Sequence, residues 1–231
     1  MIITIDGPTA SGKSTLARAL AKELSIYYLY TGLLYRALGY ILITHYGYSQ
    51  DDLTQPKLED IDQLFSSGLI SYCFDDARGE HIFYKGEDIT GFLKSLDVDR
   101  WASRISAHAQ VRALMVGFQR LLAQQMSLIA DGRDCGTVVF PSADVKFFLT
   151  ADKAIRAMRW QKDQKEAGHL FTLEEAMTAL MERDNRDTRR SVSPCKPAGD
   201  AFIIDNSRMD VEQTVALCLT FIRGNPHEVE T

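Results

Sequence analysis

Apolar residues along this chain fall into two alternating rhythms. Short runs rich in apolar, β-branched and aromatic residues occur at Ile2–Ile5, Tyr27–Tyr30, Leu128–Ala130, Val145–Leu149 and Ala201–Ile204. Each is bounded by turn or polar residues, the pattern of a strand buried on both faces. Between them the spacing becomes helical. Leu16, Leu20 and Leu24 mark one helix, and Leu34, Leu38, Ile41 and Leu42 a second. Val111, Leu114, Phe118, Leu121 and Leu122 mark a third. Thr172 with Glu175 three positions on predicts a capping box, opening a helix through Ala176 and Leu180. A last helix carries Val211, Val215, Leu219 and Ile222 and ends at Gly224. Strands alternating with helices predict an α/β fold, a parallel sheet covered on both sides.

A polar stretch, about 50–96, interrupts the alternation. Within it Leu69–Phe74 and His81–Tyr84 read as an antiparallel hairpin joined by residues 75–80, either an inserted subdomain or a sheet-edge hairpin. The insertion is the reading adopted, within one domain spanning 1–231. Composition narrows the class further. The net charge of −5 over 231 residues excludes a chain that is basic throughout, so no nucleic-acid partner is expected. Cys73, Cys135, Cys195 and Cys218 are far apart and form no C-x-x-C pair, which argues against a zinc site and fits a reducing compartment. No apolar run approaches a membrane span, and Met1 leads straight into a strand. The expectation is a cytoplasmic protein without a membrane partner.

The chemistry starts at Gly7-Pro8-Thr9-Ala10-Ser11-Gly12-Lys13-Ser14, followed by Thr15, which fits G-x-x-x-x-G-K-[ST]. The expected strand before it and helix after it are the context that motif requires. Two glycines let successive N–H groups point inward at an anion, and the helix N-terminus adds its positive dipole. Lys13 is placed to reach β- and γ-phosphates and the Ser14 hydroxyl to ligate Mg²⁺. The chain is therefore read as a binder of a nucleoside triphosphate in a P-loop fold. No guanine-reading N-K-x-D follows, and no strand ends in Asp-Glu, so GTPases and motors recede.

Three further clusters lie downstream. The strand ending at Ala130 runs into Asp131-Gly132-Arg133-Asp134, at the edge of the sheet where ligands bind. Asp131 is placed to support a metal or its waters, Arg133 a phosphate, and Asp134 an amine; the alternative is a salt-bridged turn. Arg183, Asp187 and Arg190 share a helical face, bordered by Arg186. Such cations repel unless an anion lies among them; Asp187 answers that in part and a phosphate would complete it, unless this is simply a solvated helix end. Lys153, Arg156, Arg159, Lys162 and Lys165 would join them as a cationic lid spanning about 152–190, closing when both phosphates are present. Directly after the second strand, Thr31 and Arg36 could hold a second phosphate, or Thr31 could simply cap its helix.

These clusters, in this order, resemble the bacterial cytidylate (CMP/dCMP) kinase family of nucleoside monophosphate kinases. Thr31-Gly32 with Tyr35-Arg36, Gly86-Glu87-Asp88-Ile89-Thr90, and Ala130 to Asp134 followed by Gly136-Thr137-Val138-Val139-Phe140-Pro141 carry the likeness. Arg183 to Arg190, Pro194, Asp200-Ala201 and Ile204-Asp205 extend it. The resemblance implies a five-stranded parallel sheet core, an acceptor-binding region enlarged by an insertion, and a helical lid. It implies ATP as donor with Mg²⁺, and CMP or dCMP as acceptor. Ser103, Arg112 and Asp134 fall where the family reads cytosine. Thr31, Arg36 and Arg133 fall near the acceptor phosphate, with Tyr35 beside it. Arg183 and Asp187 fall beside sugar and phosphates, and Arg190 on the phosphoryl group in flight. Lys13, Arg133, Arg183 and Arg190 are thus the expected catalytic cations, with residues 7–15, Arg156 and Arg159 on the donor and Ser14 on the metal. The chain departs from the pattern at Tyr30 (usually Asp), Leu33, Lys94-Ser95, Trp160 (usually a second lid arginine) and Cys195 (usually leucine). A monomer is expected. The alternatives are another small-molecule P-loop kinase, of UMP/CMP or shikimate type, or a nucleotide-binding protein with weak turnover.

Overall fold

The five apolar runs are strands in the computed structural model, which describes residues 1–75, 77–124 and 126–224. Strands β1 (Ile2–Asp6), β2 (Tyr27–Tyr30), β6 (Leu128–Gly132), β7 (Val145–Thr150) and β8 (Phe202–Asp205) form one parallel sheet in the order β2-β6-β1-β7-β8. By contact, the chain divides into two compact units, Met1–Ile26 with Leu128–Thr231, and Tyr27–Ser127.

In the first unit β1 lies between β6 and β7, with Ile3 opposite Ile129 on one side and Val145 on the other. Ile3, Ile5, Leu128, Ile129 and Ala130 are fully buried, which accounts for their unbroken apolar runs. Helix α1 (Lys13–Leu24) covers β6 and meets α8 (Val211–Ile222). Helices α6 (Lys153–Glu166) and α7 (Leu173–Arg189) form a hairpin. Thr172 makes the expected capping box with Glu175. The hairpin's small core is Ala157, Ala176 and Leu180, with Ala10, Trp160 and Met177 packed on it. Trp160 also meets Phe171, ring centroids 4.9 Å apart, so this side chain is packing material here.

In the second unit α2 (Thr31–His45) buries Ala37, Leu38, Ile41 and Leu42 completely and packs against α4 (Leu96–Ile105). Helix α3 (Leu58–Ser66) packs on α5 (Ala109–Leu122). The hairpin is β3 (Ile70–Asp75) and β4 (Gly79–Tyr84), with Ile70 opposite Tyr84. A third strand, β5 (Glu87–Asp88), was not expected, because two polar residues carry no alternation. The tyrosines of β2 serve this unit. Tyr27 accepts from the Phe74 N–H at 2.9 Å, and Tyr72 Oη donates to the Tyr28 carbonyl at 2.8 Å. Tyr30 stacks on Tyr28 and donates its N–H to Tyr72 Oη, so an aromatic cluster claims the position where the resemblance led to the expectation of Asp. Tyr30, not Thr31, is the N-cap of α2, and Thr31 is its first helical residue; the capping reading of Thr31 is corrected.

The turn after β6 is a π-helical turn, Cys135–Val139, pressed against β1. A Cβ on Gly136 would stand 2.8 Å from Thr4 Oγ1 and 3.3 Å from Lys146 Cδ. Thr4 Oγ1 is itself buried without a hydrogen-bond partner among the described residues. Gly136→Ala is expected to cost roughly 1–3 kcal/mol in urea unfolding by overpacking. Adding Thr4→Ala removes the obstruction and a buried unpaired hydroxyl, so the double variant recovers most of the loss. Equal losses in the single and double variants would contradict this packing account.

Candidate active site

The phosphate-loop sequence forms the expected loop between β1 and α1. A side chain on Gly7, at φ +150°, would have its Cβ 2.0 Å from the Leu149 carbonyl oxygen, so glycine is required by a close backbone approach. Gly12 is the N-cap of α1 at φ +91°. The first intrahelical bond is Leu16 N–H to Gly12 O at 3.0 Å, leaving the N–H groups ahead of it without helical acceptors, as an anion site needs. Lys13 is 5% exposed. Its Nζ donates to the Pro8 carbonyl at 2.6 Å and to Ser11 Oγ at 3.3 Å. Burial, with the Arg133 cation nearby, pushes the Lys13 ammonium down to about 7. Ser14 Oγ donates to Asp131 Oδ2 at 2.8 Å.

The turn after β6 faces this loop. Arg133 donates from Nε to Asp187 at 2.8 Å, from Nη1 to the Gly132 carbonyl at 3.3 Å, and from Nη2 to Thr9 Oγ1 at 3.1 Å. Asp134 is 6% exposed, and its carbonyl accepts from Val138 and Val139 to close the π-helical turn. Asp6, at the end of β1, holds that turn: its two oxygens accept from the Cys135 and Gly136 N–H groups at 2.8 and 2.7 Å. Burial nevertheless raises the Asp6 carboxyl to about 6.

Carboxylates lie among the cations of α6, α7 and the turn after β6. Asp187 is 9% exposed and lies between Arg133 and Arg190, whose Nη2 is 3.2 Å from Oδ1. Although burial opposes it, Arg133, Arg190 and Arg183 hold the Asp187 carboxyl below its usual range. Asp184 accepts from the Thr9 N–H at 3.0 Å and pairs with Arg156, whose Nη1 also donates to the Thr9 carbonyl at 3.0 Å. Arg159 reaches Asn206 Oδ1 and O, both at 3.0 Å, and Asn206 Nδ2 donates to the Ser11 carbonyl. Cys195 donates its N–H to the Asp187 carbonyl, so the buried cysteine packs beside this ion pair. Lys162 is exposed, 3.9 Å from Glu166.

The structure therefore brings Thr9, Lys13, Ser14, Asp131, Arg133, Arg156, Asp187 and Arg190 into one linked network within the first unit. Arg183 lies within electrostatic reach of Asp187 and Lys13. Thr31, Tyr35, Arg36, Ser103 and Arg112 belong to the second unit. There Arg112 is 3% exposed, donates to the Ser106 carbonyl at 3.2 Å, and lies 5.4 Å from the Tyr35 ring centroid. Arg36 pairs with Asp99 and donates to the Leu93 carbonyl at 3.0 Å. Ser103 is half-buried on α4. Asp184, Asn206 and Asp6 are the members of the network that sequence reasoning did not single out. Two had a signal: Asp184 sits three residues before Asp187 among arginines, and Asn206 directly follows a strand, at the sheet edge where ligands gather.

A sequence model described as cytidylate kinase matches residues 3–224. The chain belongs to the cytidylate kinase family. Curated relatives named cytidylate kinase include one from Bordetella bronchiseptica, 40% identical over 96% of this chain and 95% of its own length. Another, from Salmonella arizonae, is 37% identical with the same coverage. A solved structure of an uncharacterized protein from Eubacterium ventriosum superposes with a TM-score of 0.54 at 14% identity, covering 97% of this chain and 99% of that one, which speaks to the fold alone. The family consists of kinases that move a phosphate from ATP to CMP or dCMP. In this chain there is an anion-binding loop, buried cations, and a hydroxyl–carboxylate pair at Ser14 and Asp131. The described residues hold no cluster of three or more His, Cys, Asp or Glu side chains suited to a metal. No helix among them is long and apolar enough to cross a membrane.

Lys13 gives a pH dependence with a defined sign. Its folded pKa, about 7, lies below the ordinary lysine value of 10.5, so the unfolded chain binds more protons between those limits. This group's contribution to stability is fully present above 10.5 and is lost as pH falls through about 7. A bound triphosphate reverses the local field and favours the ammonium. Binding of a non-hydrolysable ATP analogue at pH 8 is therefore expected to take up close to one proton, shrinking toward none at pH 6. The binding enthalpy compared across buffers of different ionisation enthalpy measures that number. No uptake at pH 8 would contradict the depressed Lys13.

Proposed function

We propose that this chain transfers the γ-phosphoryl group of ATP to CMP or dCMP through direct in-line displacement, with Arg133 as the cation joining donor and acceptor sides. The observation that carries the reading is Arg133 itself: it leaves the end of β6 and is hydrogen-bonded both to the phosphate loop at Thr9 and to Asp187 of α7. A cation so placed serves an acceptor phosphate lying next to the donor.

The loop N–H groups and Lys13 hold the β- and γ-phosphates, and Arg156 and Arg159 lie over the loop from α6. Arg183 and Arg190 neutralise charge on the group in flight. The transition state needs alignment and cations rather than a covalent intermediate. Ser14 and Asp131 fit Mg²⁺: one hydroxyl and one carboxylate, 2.8 Å apart, offer the hard oxygen donors that ion takes. When bound there, the ion would neutralise phosphate charge. Ser103, Arg112 and Asp134 read the base, Thr31, Tyr35 and Arg36 attend the acceptor phosphate, and Asp187 the sugar. On this reading the 50–96 segment belongs to the acceptor side and 152–190 is the lid. The protein works in the cytoplasm as a monomer, on small molecules, with no nucleic-acid or membrane partner.

Base choice gives the test. Cytosine donates from N4 where uracil presents an acceptor, so a fixed carboxylate at Asp134 favours the first. Asp134→Asn can present its amide to either base. The ratio of kcat/KM for CMP over UMP is expected to fall by roughly ten- to a hundredfold, matching about 1–3 kcal/mol of lost discrimination. An active variant with the wild-type ratio would assign base reading to another residue.

A further inference from the structure

Thr9 stands at an x position of the phosphate loop, and all three of its polar groups are taken by different side chains. Its N–H donates to Asp184 of α7 at 3.0 Å. Its carbonyl accepts from Arg156 of α6 at 3.0 Å. Its hydroxyl accepts from Arg133, in the turn after β6, at 3.1 Å. Asp184 and Arg156 are also paired with each other, so the Thr9 peptide is clamped from both ends by one ion pair. The residue is 6% exposed, which excludes water from replacing these bonds. The next residue, Ala10, has φ +58°, a left-handed conformation that costs a non-glycine residue about 1 kcal/mol and persists only where neighbours impose it.

We propose that Thr9 is a positioning residue that sets the acceptor-phosphate cation Arg133 against the donor-binding loop. The hydroxyl carries this role, separately from the backbone contacts that serve the donor side. The argument rests on the reading of Arg133 as the acceptor-phosphate cation. Arg133 has three anchors: Asp187 fixes Nε, the Gly132 carbonyl fixes Nη1 weakly at 3.3 Å, and Thr9 Oγ1 fixes Nη2. Without the hydroxyl the guanidinium keeps its charge and its pair with Asp187 but can pivot about the Nε bond. Phosphoryl transfer is sensitive to misplacement on that scale. The hydrogen bonds to Asp184 and Arg156 are made by the Thr9 backbone and use no atom of its side chain, so replacing the hydroxyl leaves the donor side its geometry.

Thr9→Val is close to isosteric and replaces the hydroxyl with a methyl group, which cannot accept from Arg133. It is expected to raise the KM for CMP three- to tenfold and to lower kcat, while the KM for ATP stays within twofold. Thr9→Ser restores the CMP side. In an Arg133→Lys background, which lacks Nη2, Thr9→Val adds no further loss. Exchange of the Arg133 Nε–H, followed by NMR without turnover, quickens in Thr9→Val. Wild-type kinetics and unchanged Nε–H exchange in Thr9→Val, or equal losses for ATP and CMP, would overturn the proposal. So would full additivity with Arg133→Lys. A wild-type enzyme that does not phosphorylate CMP would overturn the functional reading instead, and the Nε–H exchange would still decide whether the hydroxyl anchors Arg133. If Thr9→Val fails to fold, Thr9→Ala with the same exchange measurement decides it.

Discussion

Burying positive charge next to positive charge is the constraint on which this site depends. Lys13 and Arg156 are almost entirely buried, and Arg133 lies near Lys13 closely enough to help depress its ionisation. Each buried cation would cost several kcal/mol if left alone. The chain answers with carboxylates interleaved on α7: Asp187 between Arg133 and Arg190, and Asp184 against Arg156. Lys13 instead donates to neutral acceptors, the Pro8 carbonyl and the Ser11 hydroxyl. That asymmetry makes Lys13 the group whose charge state responds most to an arriving phosphate.

The sheet makes the arrangement possible. The phosphate loop follows β1, the Arg133 turn follows β6, and Asn206 follows β8, so the functional groups leave the same, C-terminal, ends of parallel strands. Asp6 and Gly136 then fix the turn after β6. The carboxylate receives two backbone N–H groups, and the missing side chain lets the turn press onto Thr4. The α6–α7 hairpin brings its own small apolar core, on which Ala10 of the loop also packs.

Much of this was legible in the sequence, for physical reasons. Strands buried on both faces must be largely apolar, as β1, β2, β6 and β7 are; the edge strand β8 leaves Phe202 and Ile203 exposed, yet its apolar run marked it too, and all five were found with boundaries close to the observed ones. The loop glycines, Lys13 and Ser14 are dictated by phosphate geometry, and Thr172 with Glu175 by the need of helix N–H groups for acceptors. What escaped was what depends on contacts distant in sequence. Asp184 finds Thr9 across 175 residues, and Asp6 finds Gly136 across 130. Neither pairing leaves a local period. Tyr30 and Trp160 were visible as departures, but their packing on Tyr28 and Phe171 could be seen only once the folded neighbours were known. The two-residue strand β5 was too short to carry any alternation.

The central claim is that the buried cations serve direct transfer of a phosphoryl group between two nucleotides rather than its release to water. Phosphorus NMR of the protein with ATP, Mg²⁺ and CMP tests it in one experiment. The account predicts that the ATP γ signal is lost only when CMP is present, with ADP and CDP appearing in equal amounts and no inorganic phosphate. Accumulation of inorganic phosphate at a rate indifferent to CMP, or an unchanged ATP spectrum, would contradict it.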